Sequence, residues 1–226
     1  MSVRAVIFDL DDTLYPEWSY VLSGFRAVAS AFAPRLRPHF DLLHRMRELA
    51  DSPDRRRVFN VVCAEAGIPD PDACAAEMVE TYRTHAPAIA LFPDAEAALK
   101  RYRGRYRLGL ISDGFLPAQN AKIDALGIRG LFDLILLTDQ WGREFWKPHP
   151  RAFQAVMEQL GLKPSACIYV SDNPAKDFLA PNALGWHTVR VRRPDGVYAD
   201  EVAPPGGEPR HTISTLDELV SCATAL

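Results

Sequence analysis

The sequence lacks most of what a secreted, membrane-spanning or nucleic-acid-binding protein requires. Its four cysteines, Cys63, Cys74, Cys167 and Cys222, are widely spaced and form no CxxC pair. Neither a disulfide framework nor a zinc site is expected, and the thiols read as reduced cysteines of a cytoplasmic protein. No stretch approaches the roughly 18 apolar residues of a spanning helix. The first apolar run is short and leads directly into acids, unlike a signal peptide. The formal net charge is −3, so the positive excess that would draw nucleic acid or an anionic membrane is missing. Lysine is scarce: among 26 basic residues only Lys100, Lys122, Lys147, Lys163 and Lys176 are lysines. A lysine beside a motif is therefore conspicuous. The P-loop, the dinucleotide-binding glycine fingerprint and the HExxH zinc motif are also absent. The string GLISDG spaces its serine as GxxSxG, not as the GxSxG elbow. A serine hydrolase using Ser112 with His187 or His211 is thus a poor alternative.

What is present is ordinary for a globular protein of 226 residues, with 48% hydrophobic and 24% charged residues. Such a chain holds one large domain, or a core and a smaller one. The informative stretch is Val3–Leu14, VRAVIFDLDDTL. Val6, Ile7 and Phe8 follow one another without alternation, as in a strand buried on both faces of a parallel sheet. Asp9, Asp11 and Asp12 stand where that strand runs out. In open α/β sheets, ligands bind at the carboxyl ends of strands. Asp9 and Asp11, two apart, point the same way if strand geometry persists. Two such carboxylates stay ionised together with a cation between them, and a hard ion such as Mg2+ prefers oxygen ligands.

From Tyr15 to about Leu91 the spacing predicts helices and no strand. Val21, Phe25, Val28 and Phe32 recur at helical intervals before Pro34. Phe40, Leu43 and Met46 mark a second helix closed by Ser52-Pro53, Val58, Val62 and Ala66 a third before Gly67, and a fourth runs from about Asp72 to Thr84. The grammar then changes. A helix opens at Pro93-Asp94, and strands are predicted at 107–111, 134–138, 167–170 and 188–191. Helices are expected after Gly114, over 148–160 and over 175–184. A Pro- and Gly-rich loop covers 193–210, and a last short helix starts near Thr215. Strand and helix in alternation predict an α/β fold, a parallel Rossmann-like sheet flanked by helices. The first strand precedes the helical segment and its partners follow it. A discontinuous sheet domain of 1–15 and 92–226, with an inserted helical cap over 16–91, is therefore expected.

The motif of Asp9, Asp11 and Thr13 resembles the DxDxT signature of the haloacid dehalogenase-like (HAD) hydrolases. Three further motifs follow in that family's order: Ser112 in ISDG after a strand, Lys147 in KPHP before a helix, and Asp172 and Asp177 in SDNPAKD after a strand. Singly, each reads as a turn, a cap or a solvated lysine. The resemblance covers the whole predicted sheet domain. It implies a subclass I phosphatase with a helical cap. Asp9 would be the nucleophile that forms an aspartyl-phosphate, and Asp11 the general acid and then base. Asp9, the Asp11 backbone carbonyl and Asp172 would hold Mg2+. Ser112, the amide near Asp113 and Lys147 would bind the phosphoryl oxygens. Asp177 and Asn173 would support the ligands from behind. Motif four commonly begins Gly-Asp and here reads Ser171-Asp172, and His149 stands between the prolines of motif three. Neither departure changes a reacting group. Asp12 and Lys176 have no essential role in the pattern.

Asp11 separates the branches of the family. A halide leaves without a proton, so a dehalogenase has no task for this acid, whereas a phosphate ester does. The expected partner is a small phosphorylated metabolite, a sugar phosphate or nucleotide, with the chain a monomer or a homodimer. A phosphomutase with the same residues, and a non-catalytic binding protein on the same fold, are the alternatives. Within the expected cap, Trp18, Tyr20 and Phe25 either line an entrance or pack in the cap's own core. Arg55-Arg56-Arg57 reads as a solvated helix face.

Overall fold

The computed structural model describes residues 2–36 and 40–220, so Cys222 lies outside the described residues. The chain divides into two compact units, one of Met1–Glu17 with Ala90–Leu226 and one of Trp18–Ile89.

The chain opens with strand β1 (Ala5–Phe8), whose four residues are all buried. Helices α1 (Glu17–Phe32), α2 (Leu42–Ala50), α3 (Val58–Glu65) and α4 (Pro71–Thr84) follow. Asp41 caps α2 by accepting from the His44 amide at 2.9 Å, and Asp70 caps α4 from the Ala73 amide at 3.1 Å. Pro71 at the first turn of α4 lacks only a hydrogen that has no helical partner there. Within the helical unit, Phe25, Val28, Phe32, Met46, Val62 and Met78 are buried in one cluster. Gly24 of α1 admits the ring of Tyr82, which a Cβ at that position would overlap. Tyr20 is buried, with the rings of Tyr82 and His85 5.6 and 4.9 Å away. Trp18 is 36% exposed. Arg55, Arg56 and Arg57 are exposed in the turn between α2 and α3, not on a helix face as expected. Their loop follows Ser52-Pro53, and Pro53 cannot continue α2.

The unit of Met1–Glu17 and Ala90–Leu226 adds to β1 the elements α5 (Pro93–Tyr102), β2 (Arg107–Ser112), α6 (Leu116–Ala125), β3 (Leu134–Leu137), α7 (Arg151–Leu160), β4 (Cys167–Ser171), α8 (Leu179–Leu184), β5 (His187–Val191) and β6 (His211–Ile213). Its six strands order as β3-β2-β1-β4-β5-β6. Every neighbouring pair is parallel, so the predicted parallel sheet is present. β1 is central, with Phe8 beside both Leu110 of β2 and Val170 of β4. The carboxyl ends of these three strands are therefore neighbours. One face is filled by Ile7, Phe153, Tyr169, Phe178 and Trp186. The Phe153 ring stands edge-on to both Tyr169 and Trp186.

Three elements depart from expectation. No strand is expected between the loop over 193–210 and the helix near Thr215, where β6 lies. It is three residues long, too short for a periodic signal, and its backbone pairing to β5 creates it. α7 begins at Arg151 instead of 148, because Lys147 to Pro150 form a turn. α8 begins at Leu179 instead of 175. The Asn173 side chain accepts from the Ala175 amide at 3.0 Å, which sets a turn there instead of a helix. The last predicted helix opens, as expected near Thr215, with a 3-10 turn over Leu216–Glu218 under a capping box between Thr215 and Glu218, and Leu219 and Val220 are helical.

Candidate active site

β1 ends at Phe8, so Asp9 leaves the sheet at its middle, its amide donating to the Val170 carbonyl at 2.9 Å. The Asp9 carboxylate meets Lys147, whose Nζ lies 2.5 Å from Oδ1. The same ammonium is 3.0 Å from Asp177 Oδ1 and donates to the Tyr169 hydroxyl at 3.0 Å. Lys147 is buried, so its charge is answered by protein groups and not by water. The turn containing Lys147 is itself fixed by Asp113, which accepts from the Lys147 amide at 3.2 Å. Asp113 also accepts from Thr138 at 2.8 Å and pairs with Lys176 at 2.7 Å.

Asp172 follows β4. Its Oδ1 accepts from the Thr13 hydroxyl at 3.3 Å, and its Oδ2 is buried without a hydrogen-bond partner. Asp177 accepts from the Ser171 hydroxyl at 2.5 Å. Oxygens of Asp9, Asp172 and Asp177 all lie within 4.8 Å of one another.

Asp11 has a separate set of partners. Its Oδ1 takes the Lys122 ammonium at 2.7 Å and the Tyr15 hydroxyl, and its Oδ2 takes the Gln119 amide at 3.0 Å. Gln119 also donates to Ser112 Oγ at 2.5 Å. The Asp11 carbonyl accepts from the Thr13 amide at 2.6 Å. Asp12 has a positive φ of 50° and is a staple, its carboxylate accepting from the Glu17 and Val197 amides.

The charges respond to this crowding. Burial pushes the Asp9 carboxyl up to about 7, Lys147 counteracts, and Asp177 reinforces the rise. Burial, then the charges of Asp9 and Asp177, lift Asp172 well above the ordinary carboxylate range. Burial would lower Lys147, but Asp177 and Asp9 outweigh it and hold the ammonium well above its ordinary value. Burial also opposes ionisation of Asp11, yet the Lys122 charge and hydrogen bonds from Lys122, Tyr15 and Gln119 overcome it and lower the carboxyl. Asp113 is likewise lowered against burial by Lys147 and Lys176.

A dication with a preference for oxygen fits this donor set. Asp172 Oδ2 is an orphaned buried acceptor, the raised Asp172 has no cation answering it, and Asp9 shares Lys147 with Asp177.

The structure thus brings Asp9, Lys147, Asp172 and Asp177 into one cluster, with Asp11 and Ser112 joined through Gln119. Two neighbouring side chains serve the loops of the site. The Asp113 carboxylate serves Lys147, Thr138 and Lys176, and Asn173 closes its own turn. Sequence reasoning missed Tyr15, Gln119 and Lys122. A usable signal existed: Gln119 and Lys122 are three apart on the helix after ISDG, and Lys122 is one of the few lysines.

A family model described as haloacid dehalogenase-like hydrolase matches residues 3–185. Among curated proteins, the glyceraldehyde 3-phosphate phosphatase of Methanopyrus kandleri is 30% identical over 206 residues, covering 88% of this chain and 87% of that protein. Among solved structures, the magnesium-bound Bacillus subtilis protein YfnB has a TM-score of 0.72 at 17% identity, covering 99% of each chain. The L-2-haloacid dehalogenase of Xanthobacter autotrophicus has a TM-score of 0.64 at 20% identity, also covering 99% of each.

Proposed function

The chain belongs to the haloacid dehalogenase-like hydrolases, and from that premise we propose that it hydrolyses small phosphate monoesters through an aspartyl-phosphate on Asp9. The observation that carries this reading is the second carboxylate. Asp11 is held by three side chains, Tyr15 close by in the chain and Gln119 and Lys122 of α6, an arrangement that a halide leaving group does not need. The name of the Methanopyrus relative points to a sugar phosphate of the triose class as the first substrate to test.

In the first step an Asp9 oxygen attacks phosphorus, the bond to the leaving oxygen breaks, and that oxygen takes a proton from Asp11. Water then attacks the aspartyl-phosphate, the phosphorus–Asp9 bond breaks, and Asp11 accepts a proton from the water. Lys122 and Tyr15 hold Asp11 ionised in this structure, the form that the second step requires; a proton must be taken up before the first. Ser112 and Lys147 face the phosphoryl oxygens as donors. Asp177 orients Lys147 from 3.0 Å. Asp9, Asp172 and the Asp11 carbonyl would hold Mg2+, which when bound supplies positive charge that offsets the carboxylates and a dianionic phosphate. The helical unit, inserted in the chain just after the first motif, has the place in the sequence that the resemblance gives to a cap. Unpaired Cys63, Cys74 and Cys167 accord with a reducing, cytoplasmic compartment.

The test is phosphate release with Mg2+ from a panel of sugar phosphates and nucleotides, alongside Asp9→Asn. Turnover concentrated on one class and lost in the variant supports the reading. Transfer of the phosphoryl group to a second substrate position instead of water identifies a mutase. A ligand-binding function that survives Asp9→Asn, without turnover in the parent protein, rejects the enzyme.

A further inference from the structure

Gln119 is 2% exposed, yet its amide nitrogen touches two groups of the site, Ser112 Oγ at 2.5 Å and Asp11 Oδ2 at 3.0 Å. A primary amide nitrogen carries two hydrogens, one for each oxygen. A carboxylate only accepts, so the nitrogen of this amide, not its oxygen, faces Asp11. The consequence for Ser112 is directional. With one lone pair occupied by Gln119, the hydroxyl hydrogen is left to be given elsewhere. Room for this bridge is made by Gly114, in the loop between β2 and α6: its φ is +130°, and a Cβ there would come within 3.1 Å of Gln119 Cδ. Lys122, one helical turn further on, secures the other Asp11 oxygen at 2.7 Å.

Resting on the phosphatase reading for the tasks of Ser112 and Asp11, we propose that Gln119 is a positioning residue. It turns the Ser112 hydroxyl into a donor toward a phosphoryl oxygen and holds the Asp11 carboxylate at the leaving oxygen. Phosphate binding and proton transfer are thereby tied to one buried amide.

The experiment compares wild type, Gln119→Leu, Ser112→Ala and the double variant, each with Mg2+. kcat/KM is measured on glycerol phosphate and on 4-nitrophenyl phosphate, and binding of inorganic phosphate by calorimetry. Gln119→Glu, of the same shape without the amide donor, replaces the leucine variant if that one does not fold. Loss of a hydrogen bond to a charged group predicts roughly a ten- to hundredfold fall on glycerol phosphate. The fall on 4-nitrophenyl phosphate is smaller, because its leaving group departs without a proton. Phosphate binding weakens, and the cost of Gln119→Leu shrinks in the Ser112→Ala background. Equal losses on both esters that add fully to Ser112→Ala overturn the inference and leave Gln119 a packing residue. If wild type binds phosphate but hydrolyses neither ester, the phosphatase reading fails, and the calorimetric cycle with Ser112 decides whether Gln119 positions that hydroxyl. If wild type neither binds nor hydrolyses, both fall.

Discussion

Replacing Lys147 with methionine removes the ammonium that pairs with both Asp9 and Asp177 while nearly keeping the side-chain volume. The ammonium lies 2.5 Å from one carboxylate and 3.0 Å from the other. At an effective dielectric of 20, each attraction amounts to about 5–7 kcal/mol. Desolvating the ammonium offsets several kcal/mol of this, and breaking a buried pair of this kind costs about 3–5 kcal/mol. That is a large part of the roughly 5–15 kcal/mol that holds a domain together. The loss must depend on pH. Asp9 already stands at about 7, above its ordinary 3.8. The folded metal-free protein therefore binds a proton that the unfolded chain does not, and its stability declines as pH rises through that window. Without Lys147 the carboxyl rises further, so the variant suffers most at high pH and recovers when the acids are protonated. Urea unfolding of both metal-free proteins at pH 8 and pH 5.5 reads this directly. A difference near 3–5 kcal/mol at pH 8 that narrows at pH 5.5 is expected. A difference below about 1 kcal/mol, or one that does not change with pH, refutes the reasoning.

Other consequences are as open to measurement. Mg2+ must displace protons from Asp9 and Asp172, so its stabilisation, read as the shift in Tm on adding Mg2+, should be larger at pH 8 than at pH 6; chelation should abolish turnover. Asp94 is held below its ordinary 3.8 despite burial, by bonds from Arg193 and the Leu216 amide. Its contribution is therefore present above about pH 4 and lost as pH falls through its folded value, and Asp94→Asn should cost about 1.5–3 kcal/mol at pH 7 with the gap closing in acid. Gly24→Ala should destabilise by about 1–3 kcal/mol in thermal unfolding, because the added methyl meets the Tyr82 ring, even though alanine is the better helix former; a stabilised variant would contradict the close approach.

Much of the sheet was legible because a parallel strand buried on both faces leaves an unbroken apolar run. RLGLI, CIYV and the run before Asp9 announce themselves this way. β6 did not, since three residues flanked by polar ones carry no period and only the edge of β5 makes them a strand. The starts of α7 and α8 were hidden by local chemistry: the Lys147–Pro150 turn, and an asparagine that bonds its own backbone. In the site, residues within a motif could be read by spacing. Gln119 and Lys122 could not be joined to Asp11 that way, because more than a hundred residues separate them. On a helix alone they look like a polar face. Lys176, read as inessential, pairs with Asp113, another contact that spacing does not reveal.

The scarcity of lysine acquires a meaning once these contacts are placed. Three of the chain's few lysines, Lys122, Lys147 and Lys176, each meet a carboxylate of the site. Against them stand five acids, Asp9, Asp11, Asp113, Asp172 and Asp177, so the cluster is short of two positive charges. The pattern of ionisation shows where that deficit falls. Asp11 and Asp113, which own a lysine, are lowered. Asp9 shares its lysine and Asp172 has none, and these two are raised. In the metal-free protein the deficit is met by protons on those two carboxyls. A divalent cation in contact with both would displace the protons and supply the missing charge. The same residues that crowd negative charge at neutral pH would therefore favour a doubly charged, oxygen-seeking ion over a monovalent one.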